Sequence, residues 1–153
     1  MKIYEFERIV DKTFWGLTNK HDFVKTETSL HKRGATVSFQ NTTTEIILNY
    51  EIGSFPWITI ADIKKPETDR VSLDWLLVEL GEKKHPSADE AFFSAKMDEG
   101  QFEDEVQKKV DQLLKFGTVF FSGDFTLLPD LQKLAEDYLS ECKKFANQKN
   151  TKS

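Results

Sequence analysis

The sequence predicts an α+β domain, in which helices pack on one face of a four-stranded antiparallel sheet. Three observations predict this class. Between Phe23 and Ile63 apolar and polar residues alternate, as they do in strands that bury one face. On both sides of this segment the apolar residues recur every three or four positions, which is typical of amphipathic helices. The 153 residues include thirteen Phe and 39% hydrophobic residues, enough for one core, so 1–153 is interpreted as a single domain.

The first predicted element is an N-terminal amphipathic helix that ends between Gly16 and Asn19. Its apolar positions are three or four residues apart, and this spacing places them on one side of a helix. These positions are Ile3, Phe6, Val10, Phe14 and Leu17.

The four predicted strands form a meander, in which each strand pairs with the next one along the chain. The clearest strand is Glu45–Ile52, where Ile46, Leu48 and Tyr50 share one face. The segments between the strands are short, which favours antiparallel hairpins. One face of the sheet is apolar and must be covered by helices. The other three predicted strands are Phe23–Leu30, Ala35–Phe39 and Trp57–Ile63.

Three to four C-terminal helices are predicted to cover that apolar face. Ser72 is a candidate N-cap for a helix over Leu73–Leu80, and Gly81 is a candidate end. Ser87–Glu90 matches a capping box, which predicts the start of a short helix.

The longest helix is predicted to begin near Phe102, and the last helix carries apolar residues from Leu128 to Phe145. Cys142 lies on the apolar stripe of this last helix, so it is expected to pack in the core. The final residues, 147–153, are polar and are predicted to form a frayed tail.

Several features predict a cytoplasmic protein without a membrane partner. The first eight residues mix charged and apolar side chains, unlike a signal peptide. The sequence has no apolar run of the roughly 18 residues that a membrane span requires. Cys142 is the only cysteine, so no intramolecular disulfide can form, as is typical of proteins in a reducing compartment.

The charge of the chain argues against nucleic acid as a partner. The formal net charge is −5, and binding to phosphates requires a basic surface. The negative charge is concentrated between Ser87 and Asp111, where eight acidic residues are found with three lysines.

No catalytic, metal-binding or cofactor-binding pattern is present in the sequence. The three histidines, His21, His31 and His85, lack a neighbouring ligand at the spacing of a metal site. The glycines form none of the nucleotide-binding motifs, and the serines form no nucleophile elbow. We therefore predict no catalytic residue, no metal and no cofactor.

Two segments are candidates for contact with a protein partner. The acidic run is either a solvated helix start or a docking surface for a basic protein. The aromatic pair that follows Gly53-Ser54 is either part of the core or an interaction hot spot. The candidate residues are Asp98, Glu99, Glu103, Asp104 and Glu105 in the acidic run and Phe55 and Trp57 in the aromatic pair.

Three short motifs are found in the C-terminal half, namely Leu73–Leu77 with Glu79–Gly81, then Leu113–Gly117, then Ser122–Phe125. They are similar in layout to motifs of small bacterial α+β proteins that resemble the immunity proteins of polymorphic toxins. The resemblance implies a binding protein without catalysis, and it carries over no functional residues.

The sequence therefore favours a non-catalytic protein-binding module, of the immunity or inhibitor type, with an acidic surface for a basic protein. An alternative is a small-molecule-binding protein or enzyme with a pocket between sheet and helices, lined by Tyr50, Trp57 and Trp75. A third is a homo-oligomeric subunit, since the sequence leaves the oligomeric state open.

Overall fold

The computed structural model describes residues 3–86 and 97–151, in which it places six helices and five strands. The α+β class predicted from the sequence is confirmed. The helices are α1 (Ile3–Thr13), α2 (Trp15–Lys20), α3 (Leu73–Glu79), α4 (Glu99–Phe116), α5 (Thr118–Phe121) and α6 (Leu128–Thr151). The strands are β1 (Val24–His31), β2 (Gly34–Gln40), β3 (Thr44–Glu51), β4 (Trp57–Asp62) and β5 (Arg70–Ser72).

The five strands form one antiparallel sheet in the order β1-β2-β3-β4-β5. Each strand pairs with its neighbours in sequence, so the predicted meander is confirmed. The prediction of four strands is wrong, because β5 adds a fifth strand beside β4 through the pairs Thr59↔Ser72 and Ala61↔Arg70. A strand of three residues is too short to show a recognisable alternation in sequence.

The two edges of the sheet differ. At one edge β1 is eight residues long and mostly exposed, and a β-bulge interrupts its pairing with β2 between Lys25 and Glu27. At the other edge Gln132 of α6 donates hydrogen bonds to the carbonyl oxygens of Thr68 (2.8 Å) and Arg70 (3.2 Å). A side chain of α6 thus occupies backbone acceptors next to and within the short strand β5.

The core lies on the sheet face that carries the alternating apolar residues. These residues belong to the same buried cluster as apolar side chains from α1 to α6. In β2 a Cβ at Gly34 would lie 2.0 Å from the carbonyl oxygen of Tyr50, so the hairpin with β3 requires glycine there. The sheet residues of the cluster are Ala35, Val37, Phe39, Ile46, Leu48, Ile58, Ile60 and Val71.

The N-terminal helix is divided into α1 and α2, where the sequence predicts one helix. The break lies at Phe14, which has φ −90 and ψ 8. Phe6 and Leu17, on the two sides of the break, are both buried. The apolar spacing continues across it, so the pattern alone does not reveal where the helix ends.

Helix α4 begins at Glu99, three residues before the predicted start at Phe102. The prediction that it is the longest helix is wrong, because α4 has 18 residues and α6 has 24. Asp98 is its N-cap and forms a capping box with Gln101, in which each side chain accepts a hydrogen bond from the backbone N–H of the other residue. The capping box predicted at Ser87–Glu90 lies outside the described residues.

Helix α6 extends beyond the core. Leu128 and Leu131 are buried, whereas the later apolar residues are at most half-buried. The expectation that Cys142 packs in the core is therefore wrong, since this residue is half-buried. The helix continues to Thr151, through most of the segment predicted to fray. None of the described helices has the length and apolar character needed to cross a bilayer.

Candidate functional site

A cleft of about 360 Å³ opens between the β3–β4 hairpin, the start of α3 and the middle of α4. We call it the lysine cleft. Its lining combines an aromatic part from the hairpin with a charged part from the helices. The lining residues are Phe55, Pro56, Trp57, Asp74, Lys83, Glu105, Lys108 and Lys109.

The charged part of the cleft is built around Lys109, a lysine with only 9% of its surface exposed. Its ammonium group donates a hydrogen bond of 3.0 Å to Oδ1 of Asp74. An unpaired ammonium group would be too costly to bury, so this ion pair allows Lys109 to lie inside the fold. The pair also joins α4 to the first turn of α3.

Asp74 is shared by two lysines. The ammonium nitrogen of Lys83, in the segment after α3, lies 3.2 Å from the same Oδ1. Burial acts to raise the pKa of Asp74, but the charges of Lys109 and Lys83 and their hydrogen bonds outweigh it and hold this pKa below its usual value. Asp74 is therefore ionised at neutral pH and fixes two ammonium groups at one wall of the cleft.

Local structure explains why Asp74 is held in place. It is the second residue of α3, and its backbone N–H donates a 3.3 Å hydrogen bond to the side chain of Ser72, the N-cap predicted from the sequence. A carboxylate is favoured in the first turn of a helix, where the helix dipole is positive. The cap thus fixes the carboxylate that positions both lysines.

The aromatic part of the cleft comes from the hairpin between β3 and β4. Phe55 is 57% exposed, Pro56 is buried and Trp57 is half-buried. Gly53 in the turn has φ +92, a conformation that favours glycine. An exposed phenylalanine beside lysines gives this surface both an apolar contact and a charged rim, as in many protein interfaces.

The five acidic residues predicted to form one docking surface point in different directions from α4. Glu103 faces α1, where its Oε1 is 3.7 Å from Nη1 of Arg8 and its Oε2 is 3.4 Å from Nζ of Lys12. Glu105 lies in the lysine cleft instead. The structure therefore places Glu103 and Glu105 on different sides of the helix, each near lysine or arginine.

The remaining three acidic residues, Asp98, Glu99 and Asp104, are exposed. Asp98 is engaged in the capping box. A hydrogen bond with Glu5 raises the pKa of Glu99, and the nearby Glu5 charge acts in the same direction. Asp104 lies on the part of the α4 surface between Glu103 and Glu105.

The three aromatic residues of the predicted small-molecule pocket lie in three places. Trp57 lines the lysine cleft, whereas Tyr50 contacts Phe102 with ring centroids 4.7 Å apart. Trp75 packs against Tyr138 of α6, with centroids 5.4 Å apart. Tyr50 lines a cavity of about 230 Å³ beside the β1–β2 hairpin, which is separate from the lysine cleft lined by Trp57.

A larger and more open cavity of about 760 Å³ lies near α2, the β2–β3 turn and α5. His21 lines it and contacts the ring of Phe121, with ring centroids 5.1 Å apart. His85 packs on Trp75 at 5.6 Å. Within residues 3–86 and 97–151, no three His, Cys, Asp or Glu side chains are grouped so that they could hold a metal ion.

The sequence names Phe55, Trp57 and Glu105, which line this cleft, as candidates for partner contact, but it does not reveal the buried ion pair. Asp74 and Lys109 are 35 positions apart, and no local pattern predicts such a contact. One signal was present, however. Lys109 occupies an apolar position of α4, since the buried residues of this helix are Phe102, Val106, Lys109, Val110 and Leu113. A lysine on the buried stripe of a helix indicates a buried acidic partner.

Comparisons with known proteins found no protein-family model, no curated protein and no solved structure that matches the chain. The resemblance to immunity proteins therefore stays a prediction.

Proposed function

We propose that the protein is a non-catalytic protein-binding module whose partner docks at the lysine cleft. One observation carries this proposal. Phe55, Trp57 and Glu105, which are predicted from sequence to contact a partner, line the same cleft although two segments of the chain supply them.

The composition of the cleft supports a protein partner. Phenylalanine and tryptophan can contribute a large part of the binding energy of an interface when a partner covers them. The ion pair of Lys109 and Asp74 fixes one wall of the cleft. These two side chains therefore do not have to be ordered when a partner binds, which lowers the entropic cost of binding. Lys83 and Lys108 are exposed at the rim, where charges steer a partner and set specificity.

An immunity or inhibitor role and a basic partner are finer proposals, suggested by the resemblance and by the acidic run. The exposed residues Asp98 and Asp104 could still meet a basic protein. Glu103 supports this less, because Arg8 and Lys12 already lie beside it.

The test is site-specific photo-cross-linking in the source cells, with p-benzoylphenylalanine in place of Phe55. The matched control carries the same group in place of Val119, an exposed apolar residue on α5. We expect one protein to be cross-linked from position 55 and not from position 119. That protein should then bind the purified chain, and Phe55→Ala should weaken its binding by roughly tenfold or more, as for a hot-spot residue.

A second pair of variants separates the cleft from the acidic run. The change Asp104→Lys, at an exposed residue outside the capping box of α4, should leave the affinity for the cross-linked protein unchanged. If this change abolishes binding and Phe55→Ala does not, the acidic run is the docking surface and the cleft is not. Equal binding by wild type, the acidic-run variant and Phe55→Ala contradicts both assignments.

A further inference from the structure

The charges in the lysine cleft do not balance. Its lining contains three lysines and two carboxylates, which leaves a net charge of +1. One of those carboxylates, Asp74, is already shared by Lys83 and Lys109 through a single oxygen atom. The cleft therefore has one positive charge more than its own acidic residues neutralise.

The buried ammonium group of Lys109 is able to donate more hydrogen bonds than the one to Asp74. An ammonium group can donate three hydrogen bonds, and the bond to Asp74 uses one of the three that Lys109 can make. Within the described residues, Asp74 is the acceptor that the structure gives to Lys109. Lys109 also lines the cavity. Its ammonium group, which the ion pair holds in place, can therefore donate a hydrogen bond to an acceptor that enters the cleft.

From the charge, the donors and the aromatic wall, we infer that the lysine cleft binds a carboxylate side chain, Asp or Glu, of the protein partner. The carboxylate lies against Lys83, Lys108 and Lys109. An apolar residue next to it in the partner packs on Phe55 and Trp57. This inference rests on the proposed function and adds to it the chemistry of the contact.

A carboxylate fits this cleft better than a phosphate group. A single negative charge balances the net charge of the lining, whereas a dianion would exceed it and lie near Asp74 and Glu105. The lining also contains no arginine, the residue that matches phosphate oxygens with two parallel hydrogen bonds. The aromatic wall favours a neighbouring apolar group over water.

Two capped dipeptides, acetyl-Phe-Glu-amide and acetyl-Phe-Gln-amide, test the inference without the partner. They differ only in the charge of one side chain. We expect the Glu peptide to shift the indole N–H signal of Trp57 in NMR titrations. It should bind roughly tenfold more tightly than the Gln peptide, the expected gain from a charge-assisted hydrogen bond. Equal affinities of the two peptides would overturn the inference.

The variants change the two exposed lysines of the cleft and leave the buried pair of Lys109 and Asp74 in place. In Lys83→Gln with Lys108→Gln, the preference for the Glu peptide should fall at least fivefold, since both changed groups lie at the cleft rim. A matched variant, Lys115→Gln, removes a charge from the last turn of α4 outside the cleft and should keep the preference. A preference that survives the double change, or disappears in Lys115→Gln, counts against the cleft.

Inorganic phosphate serves as the competing ion. Phosphate that binds more tightly than the Glu peptide would overturn the assignment to a partner's carboxylate. The peptide experiment and the cross-linking experiment can fail separately. Peptide selectivity without a cross-linked protein contradicts the proposed function, whereas a cross-linked protein without peptide selectivity contradicts only the carboxylate contact.

Discussion

Helix α4 takes part in two ion-pair clusters, which differ in the burial of one cation, Lys109. On one side the Lys109 side chain is 11% exposed and lies 3.0 Å from Asp74. On the other side Glu103 is paired with Arg8 and Lys12, whose side chains are 60% and 63% exposed. The two carboxylates are exposed to a similar extent, 29% for Asp74 and 26% for Glu103. Water therefore screens Arg8 and Lys12 more than it screens Lys109, and the ion pair of Lys109 has the larger energetic weight.

The largest effect is expected from breaking the buried cluster. Asp74→Ala leaves Lys109 inside the fold without its acceptor, and we expect the free energy of unfolding to fall by about 2–3 kcal/mol. Urea denaturation at pH 7 measures this loss. The double variant Lys109→Met with Asp74→Leu removes both charges and should recover at least half of it, because apolar replacements remove the burial cost. A loss below about 0.5 kcal/mol would show that Lys109 reaches water instead.

A smaller, pH-dependent effect should follow from the lowered pKa of Asp74. A carboxyl group whose pKa is lower in the folded state stabilises the fold above its unfolded pKa, about 3.9 for Asp. This contribution is lost as the pH falls through the folded pKa. Wild type should therefore be more stable than Asp74→Asn at pH 7, and the difference should shrink below about pH 4. A difference in the free energy of unfolding that stays constant from pH 7 to pH 2 would show that the charge of Asp74 does not cause it.

The smallest effect is expected in the exposed cluster. Glu103→Gln removes a charge that lies near Arg8 and Lys12, and we expect it to cost no more than about 0.5–1 kcal/mol. About 1 M salt should abolish this difference, since it screens exposed charges, but should leave most of the Asp74→Ala effect. Urea denaturation at low and high salt measures both. Equal salt sensitivity of the two variants would contradict the difference in burial.

Much of the fold could be predicted from sequence, because residue spacing reports local structure. The alternation in Glu45–Ile52 predicts a strand that the structure places at Thr44–Glu51. The spacing of apolar residues is less informative where an element is short, or where the apolar stripe of one helix continues into the next helix. Strand β5 has three residues, and the stripe across Phe14 hides the end of α1.

The site could be predicted only in part, for a different physical reason. Phe55 and Trp57 follow a recognisable turn, and contact with a partner was one of two open interpretations for this aromatic pair, of which Phe55 is exposed and Trp57 half-buried. The direction of each acidic residue on α4 depends on which helix face meets the core. The apolar positions from Phe102 to Leu113 determine that face, yet the partners Arg8, Lys12 and Asp74 come from elements distant in sequence.

The edge strand β1 has a bearing on how the protein behaves when it is concentrated. An open sheet edge is a template on which further strands, from other copies, can assemble into aggregates. In β1 the bulge between Lys25 and Glu27 shifts the register, and Thr26 donates a 3.3 Å hydrogen bond from its side chain to the carbonyl oxygen of Ser38. Charged residues and bulges discourage such stacking. The irregularity in β1 therefore discourages such assembly at the edge opposite to the one that Gln132 of α6 contacts.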